Sequence, residues 1–196
     1  MGKLFYLIGP SASGKDSLAR ELLKQFDGIL KPVLMSTTRP IRSGEEEGEE
    51  YHFITPRQFH ALEQAGKVIE SRTYQTVHGP WTYATLDDGN LDLRAASYLA
   101  VGTLESYRKT LEYFGGDIVV PLYIDLDKGL RLHRALERER GQKEPKYAEM
   151  CRRFLADEED FSAEKIAACR FPRLYQNDDF DTCLAELADA IRKELP

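Results

Sequence analysis

The residues best suited to chemistry lie near the start of the chain, where positions 9–17 read GPSASGKDS. This spacing matches the pattern G-x-x-x-x-G-K-[ST] at Gly9, Gly14 and Lys15, and only the last place differs. Glycines let consecutive backbone N–H groups turn inward around a phosphate, and the lysine adds a positive charge for the outer phosphates. A phosphate-binding loop is therefore predicted, formed by Gly9, Pro10, Ser11, Ala12, Ser13, Gly14, Lys15, Asp16 and Ser17.

Asp16 directly follows the lysine, where the common form of the motif has a hydroxyl. A carboxylate beside phosphate oxygens would repel them. On a helix, however, successive side chains point about 100° apart. Asp16 is therefore expected to face solvent or a Mg²⁺-bound water, while Ser17 meets the nucleotide and is the candidate magnesium ligand.

The elements around this loop have the order that a phosphate site needs. The apolar run LFYLI before Gly9 is typical of a buried parallel strand, and Leu18, Leu22, Leu23 and Phe26 then recur at helical spacing. A helix that begins at Lys15 directs the positive end of its dipole at the same anion. The context therefore favours a working loop over a chance match.

A second basic segment, STTRPIRSGEEEGEE, places Arg39 and Arg42 close to the hydroxyls of Ser36, Thr37 and Thr38. Two guanidinium groups with nearby hydroxyls suit a second phosphate, because arginine offers fork-like donors to its oxygens. The residues alone equally allow a solvated loop in which both arginines pair with the neighbouring glutamates.

The remaining pattern alternates strands with helices, which predicts a three-layer α/β fold with a mainly parallel sheet. Strands are predicted at 29–35, 51–55, 67–77, 97–102, 117–126 and 173–177. Helices are predicted at 56–65, 103–114, 127–140, from 146 into DEEDFSAEK, and 180–195, and Thr55 and Pro56 open the first of these as N-cap and first helical residue.

Composition limits the class of protein. A chain of 196 residues with 42% hydrophobic and 31% charged residues fits one domain that buries a core. A net charge of −6 argues against nucleic-acid binding, and no apolar run is long enough to span a membrane. Cys151, Cys169 and Cys183 lack metal-site spacing, so free thiols and a cytoplasmic location are expected. The oligomeric state is left open.

Taken together, GPSASGKDS and the later STTRPIRSGEEEGEEYHF resemble guanylate kinase, which phosphorylates GMP with ATP and Mg²⁺. The resemblance implies a P-loop NTPase fold with a parallel central sheet, an acceptor-binding insertion and a helical lid. It implies a core of residues 1–35, 93–133 and 160–196, an insertion of 36–92 and a lid of about 134–159. The implied ligands of the acceptor phosphate are Arg39, Arg42, Tyr51 and Tyr83, with Ser36 nearby, and those of the guanine base are Glu70 in VIES and Thr85 in GPWTYAT.

The later part of the chain is also similar to this family. LHRALERERG and MCRRF supply the arginines of the lid, and Arg140 and Arg153 match the family pattern best, so the resemblance implies that they and Lys15 are catalytic. QNDDFD is similar to the segment near the adenine, which implies Asn177 and Asp178 as residues of the ATP site.

Three departures from the family pattern concern the acceptor. Met35 replaces a serine that helps to recognise guanine, and it cannot donate the same hydrogen bond. Ala100 and Gly102 stand where the family strand usually carries acidic residues, and extra residues separate Glu70 from GPWTYAT.

Two alternatives remain open from the sequence. Kinases of phosphorylated sugars such as ribose 1,5-bisphosphate have a similar GPS-x-SGKDS loop, with Asp16, and a strand end comparable to Gly102 and Thr103. The second alternative is a non-catalytic guanylate-kinase-like binding module, against which the intact loop at Lys15 argues.

Overall fold

The structure, a computed structural model, describes residues 1–42, 44–76 and 79–195. Its strands are β1 Leu4–Ile8, β2 Leu30–Pro32, β3 Ser36–Thr37, β4 His52–Phe53, β5 Val68–Thr76, β6 Gly79–Leu86, β7 Ser97–Gly102, β8 Val119–Asp125 and β9 Leu174–Gln176. Its helices are α1 Lys15–Gln25, α2 Pro56–Gln64, α3 Leu104–Phe114, α4 Lys128–Arg140, α5 Tyr147–Asp160, α6 Ala163–Ala168 and α7 Phe180–Glu194.

The central sheet has five strands in the order β2-β7-β1-β8-β9, and every neighbouring pair is parallel. Strand β1 lies in the middle, and all of its residues are buried. This position explains why β1 reads as an unbroken apolar run, since helices cover both faces of a parallel sheet.

Alternate residues of β1 face two different hydrophobic clusters. Phe5 and Leu7 pack with residues of α1 and α7, whereas Tyr6 packs on the opposite face with Leu104 and Tyr107 of α3. Helices therefore lie on both sides of one sheet, and the predicted three-layer α/β fold is confirmed.

A second sheet of four strands, in the order β4-β3-β6-β5, lies within residues 36–86. Strands β5 and β6 form a long antiparallel pair in which Glu70 faces Thr85 and Arg72 faces Tyr83, and a bulge interrupts the register between Val68 and Glu70. The sequence analysis predicted β5 but not β6 or β3, because the partners that pair these strands are distant in the chain.

Several predicted element boundaries differ from those of the structure. The strand predicted at 29–35, in which Pro32 was expected to cause an early break, extends only over β2. The Val33 N–H still donates to the Leu99 carbonyl at 2.9 Å, and Ser36 and Thr37 then pair within the second sheet. Strand β5 is described up to Thr76, and its predicted end at Val77 lies outside the described residues. The helix predicted from residue 146 is two helices, because Phe161 turns into the core and Ser162 caps α6 by accepting a hydrogen bond from the Lys165 N–H.

Within residues 1–42, 44–76 and 79–195, none of the helices combines the length and apolar character that crossing a bilayer requires. All three cysteines are free thiols, and Cys183 is buried.

Candidate active site

The loop at residues 9–14 has the backbone of a phosphate cradle. Ala12 and Gly14 both adopt positive φ values, 63° and 91°, which turn successive N–H groups toward one side. At Gly14 a Cβ atom would lie 2.2 Å from Nδ2 of Asn177, and at Gly9 it would lie 2.8 Å from Oγ of Ser13. Gly14 is therefore required by close approach as well as by conformation, and Gly9 by close approach.

Asn177 stabilises this loop by hydrogen bonding to it from the core side. Its side chain is fully buried, its Nδ2 donates to the Ser13 carbonyl at 2.6 Å, and its backbone N–H donates to the Asp125 carbonyl at 3.0 Å. Arg134 of α4 in turn donates to the Asn177 carbonyl at 2.9 Å. The resemblance implied Asn177 as a residue near the adenine. In the structure its side chain contacts the loop, while the neighbouring Asp178 is exposed.

Lys15 and Asp16 point in different directions at the start of α1. The Lys15 side chain is only 15% exposed and its Nζ lies 3.5 Å from the Pro10 carbonyl, across the mouth of the loop. The Asp16 side chain is 76% exposed, and Ser17 is exposed beside it. The carboxylate is thus turned to solvent, and Lys15 is the charge directed at a ligand of the loop.

Helices α4 and α5 form a cleft of about 240 Å³ beside Ser11 of the loop. Arg138 and Arg153 line this cleft, and Nε of Arg153 is held by Glu149 at 3.0 Å. Hydrogen bonds from Arg152 and then from Arg153 lower the pKa of Glu149 to about 2.

Arg140, which the resemblance implied as catalytic, lies outside the lining of the cleft, and Glu137 binds it at 2.8 Å. Arg134 lies nearer to the loop, because its Nη1 would be 3.8 Å from a Cβ at Gly14. The structure therefore brings Arg134, Arg138 and Arg153 toward the loop, but not Arg140.

Buried Arg131 joins helices α4 and α5. Its guanidinium forms an ion pair with Glu158, and it lies 4.5 Å from the ring centroid of Phe154, so one side chain of α4 contacts two side chains of α5. From the same face of α5, Asp157 reaches the loop and accepts a hydrogen bond from the Ser11 N–H.

A larger cavity of about 420 Å³ lies between the second sheet and the carboxyl end of β7. Ligands of open α/β sheets bind at this end of the strands. The aromatic side chains that line the cavity are Tyr6, Tyr51, Tyr74, Trp81 and Tyr83, and the polar ones are Glu70, Arg72, Thr85, Thr103 and Ser106.

Glu70 is the buried carboxylate of this cavity, with only 6% of its surface exposed. The hydroxyl of Thr85, directly opposite on β6, donates to its Oε1 at 3.1 Å and fixes its orientation. Burial raises the pKa of Glu70, and the Thr85 hydrogen bond and the charge of Arg72 oppose that rise. Glu70 and Thr85, both implied as base ligands, are thus brought together.

Behind Tyr51, which lines the cavity, buried Arg39 lies against the rings of Tyr51 and Phe53. Its guanidinium is 5.5 Å from the centroid of Tyr51, and the rings of Tyr51 and Tyr83 are 5.6 Å apart. Arg39 donates to both carboxylate oxygens of Glu45, at 2.9 and 2.8 Å, and the Arg42 N–H donates to the same carboxylate. The arginine–glutamate pairing left open from the sequence is present, but around a buried Arg39 rather than in a solvated loop.

Ser36 is buried in β3 and lines an adjoining hollow with Thr85, whereas Arg42 is exposed. The implied acceptor residues therefore divide into a cluster of Arg39, Tyr51 and Tyr83 and a cluster of Glu70 and Thr85.

The loop and the acceptor cavity open onto one another. Lys15 and Asp16 line a hollow that they share with Met35, Tyr51 and Val101, and these last three also line the acceptor cavity. The start of α1 and the acceptor cavity are therefore neighbours, and direct phosphoryl transfer requires the donor and acceptor sites to adjoin.

Comparison with known proteins identifies the family of this chain. The family model for guanylate kinase matches residues 1–85, which include the loop and the second sheet up to Thr85. The guanylate kinase of Cupriavidus pinatubonensis is 30% identical over 199 residues, a match that covers 97% of this chain and 83% of that protein. The chain belongs to the guanylate kinase family. Another family member, from Thermotoga maritima, is 34% identical over 149 residues, covering 70% of this chain and 67% of that protein.

The solved structures agree with this family in fold. The crystal structure of guanylate kinase from Anaplasma phagocytophilum matches with a TM-score of 0.60 at 24% identity, over 99% of this chain and 86% of that one. Membership of the guanylate kinase family gives the enzyme class of the chain as nucleoside monophosphate kinase.

The site also contains residues that sequence reasoning missed, namely Arg72, Tyr74, Trp81, Ser106 and Asp157. The alternation of Glu70, Arg72 and Tyr74 along β5 was a usable signal, because every second residue of a strand faces the same side. No such signal existed for Asp157, which reaches the loop from a distant helix.

Proposed function

We propose that this protein transfers the γ-phosphoryl group of ATP to GMP, which yields ADP and GDP. The observation that carries the proposal is the hollow lined by Lys15 and Tyr51, because it adjoins both the start of α1 and the cavity that contains the buried carboxylate of Glu70.

The donor end fits ATP and Mg²⁺. The positive φ values at Ala12 and Gly14 turn N–H groups toward a phosphate, and Lys15 supplies the charge. Among the described residues no group of three His, Cys, Asp or Glu side chains could hold a metal. Kinase Mg²⁺ is bound largely by substrate phosphates and water, so one protein ligand such as Ser17 suffices. When bound, Mg²⁺ neutralises negative charge on the phosphate oxygens.

The acceptor end fits a purine nucleotide. Arg39, Tyr51 and Tyr83 cluster where the GMP phosphate would lie, with Arg42 at the rim. Glu70, held by Thr85, accepts hydrogen bonds from the N–H groups of the base, and the aromatic side chains pack against its faces.

In the reaction an oxygen of the GMP phosphate attacks the γ-phosphorus, and the bond from that phosphorus to the β–γ bridging oxygen breaks. The protein contributes position and charge rather than covalent chemistry. Lys15 and the lid arginines Arg138 and Arg153 stabilise the oxygens of the transferring group. Closure of the lid excludes water that would otherwise hydrolyse ATP.

A kinase of a phosphorylated sugar such as ribose 1,5-bisphosphate is the second candidate. Arg72, Thr103 and Ser106 favour it, since they bring a cation and two hydroxyls to the end of the cavity near β7, and such donors suit a second phosphate.

The free thiols of Cys151, Cys169 and Cys183 suit a reducing compartment, and we propose the cytoplasm as the location of the protein.

An ADP-release assay across GMP, dGMP, AMP, UMP and ribose 1,5-bisphosphate tests these proposals. We expect the highest kcat/KM with GMP. A higher value with ribose 1,5-bisphosphate would establish the sugar-phosphate reaction instead. Absence of turnover with all five acceptors would contradict both and favour a non-catalytic binding module.

A further inference from the structure

Arg72 lines the acceptor cavity and follows Glu70 by two positions in the sequence. The two residues are separated by one position on β5, so their side chains share a face, about 6.6 Å apart along the strand. Both line the cavity. A carboxylate and a guanidinium therefore stand side by side on one wall.

The guanidinium of Arg72 is positioned by hydroxyls rather than by a carboxylate. Its Nη2 donates to Oγ1 of Thr103 and lies 3.4 Å from Oγ of Ser106, both at the start of α3. Glu70 and Glu105 are close enough for the Arg72 charge to lower the pKa of each carboxyl, but neither hydrogen-bonds the guanidinium as Thr103 and Ser106 do. Beside Glu70, the guanidinium offers its remaining donors to a ligand of the cavity.

Because Gly102 has no side chain, the Arg72 guanidinium is the charged group at the end of the cavity near β7. A Cβ atom at position 102 would lie 2.4 Å from Oη of Tyr6 and 2.7 Å from Oγ of Ser106. No larger side chain fits there unless Tyr6 moves. The end of β7 thus presents hydroxyl groups and a guanidinium where related kinases usually present acidic residues.

The pair of Glu70 and Arg72 has the donors and acceptors that guanine needs. Guanine carries N–H donors at N1 and N2 and acceptors at O6 and N7, and arginine binds O6 and N7 with two parallel hydrogen bonds. Adenine has an amino donor at N6, which would meet the donors of Arg72 without an acceptor. Met35 also lines the cavity and cannot supply a donor to O6, which leaves Arg72 as the cationic donor in the lining.

We propose that Arg72 is a specificity-determining residue of the acceptor site, donating hydrogen bonds to O6 and N7 of guanine while Glu70 accepts from N1 and N2. Thr103 and Ser106 are its positioning residues. The proposal rests on GMP as the acceptor, and it accounts for guanine selectivity in a site that lacks the serine replaced by Met35.

The test compares GMP with 7-deaza-GMP, which has a C–H group in place of N7, in the wild type and in Arg72→Met. We expect the wild type to lose about tenfold in kcat/KM with 7-deaza-GMP, mainly through KM. Arg72→Met should lose on the order of tenfold to a hundredfold with GMP and show no further loss with 7-deaza-GMP. Arg57→Met, at an exposed arginine of α2, is the matched control and should behave as the wild type.

Several results would overturn the proposal. One is GMP activity in Arg72→Met within threefold of the wild type, and another is a 7-deaza penalty that persists in this variant. If Arg72→Met does not fold, as judged by circular dichroism, Arg72→Lys replaces it, since lysine keeps the charge but loses the paired geometry. A wild type that prefers ribose 1,5-bisphosphate, and loses that activity without Arg72, would assign the guanidinium to a second phosphate. A wild type that is inactive with GMP would contradict the proposed function itself. A wild type that is active with GMP, but whose 7-deaza penalty does not depend on Arg72, would contradict only this inference.

Discussion

The carboxylate of Asp157 accepts a hydrogen bond from the backbone N–H of Ser11 at 2.8 Å, which joins helix α5 directly to the phosphate-binding loop. Backbone N–H groups of such a loop are the donors that bind phosphate oxygens. In this conformation a carboxylate of the protein uses one of them. Asp157 and the phosphates of ATP therefore compete for the same donor.

Asp157→Ala should lower the KM for ATP several-fold, because it frees the Ser11 N–H and removes a negative charge from the site. KM is measured from ATP titrations at saturating GMP. Glu159→Ala is the control, since this exposed residue of the same helix changes the net charge equally. A KM for ATP that rises in Asp157→Ala would instead show that the carboxylate supports the loop.

Lys15→Ala should reduce kcat by at least about a hundredfold, the usual cost of removing one donor to developing charge. Its melting temperature should stay close to that of the wild type, because Lys15 makes only long contacts, at 3.5 Å with the Pro10 carbonyl and at 4.0 Å with exposed Asp16. Lys24→Ala, at the exposed end of the same helix, controls for the loss of a lysine. Full activity in Lys15→Ala would contradict the assignment of the loop to ATP.

Glu70→Gln should bind GMP at least about tenfold more weakly and yet unfold at a higher temperature at neutral pH. Burial raises the pKa of Glu70 in the folded state. A carboxyl group whose pKa is higher in the folded state stabilises the fold at pH values below its pKa in the unfolded chain. This stabilisation is lost as the pH rises through the folded-state pKa. The difference in melting temperature between variant and wild type should therefore grow from acidic to neutral pH.

The matched control for this experiment is Glu112→Gln, an exposed position on α3. Equal melting temperatures of Glu70→Gln and the wild type at every pH would show that burial does not perturb Glu70. In the wild type, the KM for GMP should rise as pH falls through the raised pKa, since the protonated carboxyl accepts hydrogen bonds less well.

Asn177→Ala should destabilise the fold by about 1–3 kcal/mol and raise the KM for ATP, because the Ser13 carbonyl loses a buried hydrogen bond of 2.6 Å. Chemical denaturation and ATP titrations measure the two effects. Gln176→Ala, which removes an exposed hydrogen bond on the same strand, should change both by less. An unchanged KM for ATP would show that the loop holds its shape without Asn177.

Features set by neighbours in sequence could be predicted, and features set by distant packing could not. The loop follows from glycines at fixed spacing, and Thr55 forms a complete capping box with Gln58 as its sequence indicates. The orientation of Arg72 depends on Thr103, and the contact of Asp157 depends on how α5 lies on the loop. Neither relationship has a signature in the local sequence.

The same reasoning explains the interrupted helix near residue 161. Helical periodicity continued through DEEDFSAEK, so a single helix was predicted. The burial of Phe161 beside Tyr123, with ring centroids 6.3 Å apart, outweighs that local preference and ends α5.

Arg131 also links the two helices on which the cleft depends, because it contacts Phe154 and Glu158 of α5 from its position on α4. Asp157 lies on these helices together with Arg138 and Arg153, which line the cleft. We therefore expect that any displacement of α5 that breaks the hydrogen bond between Asp157 and Ser11 also moves Arg153 on the same helix and Arg138 on the helix linked to it.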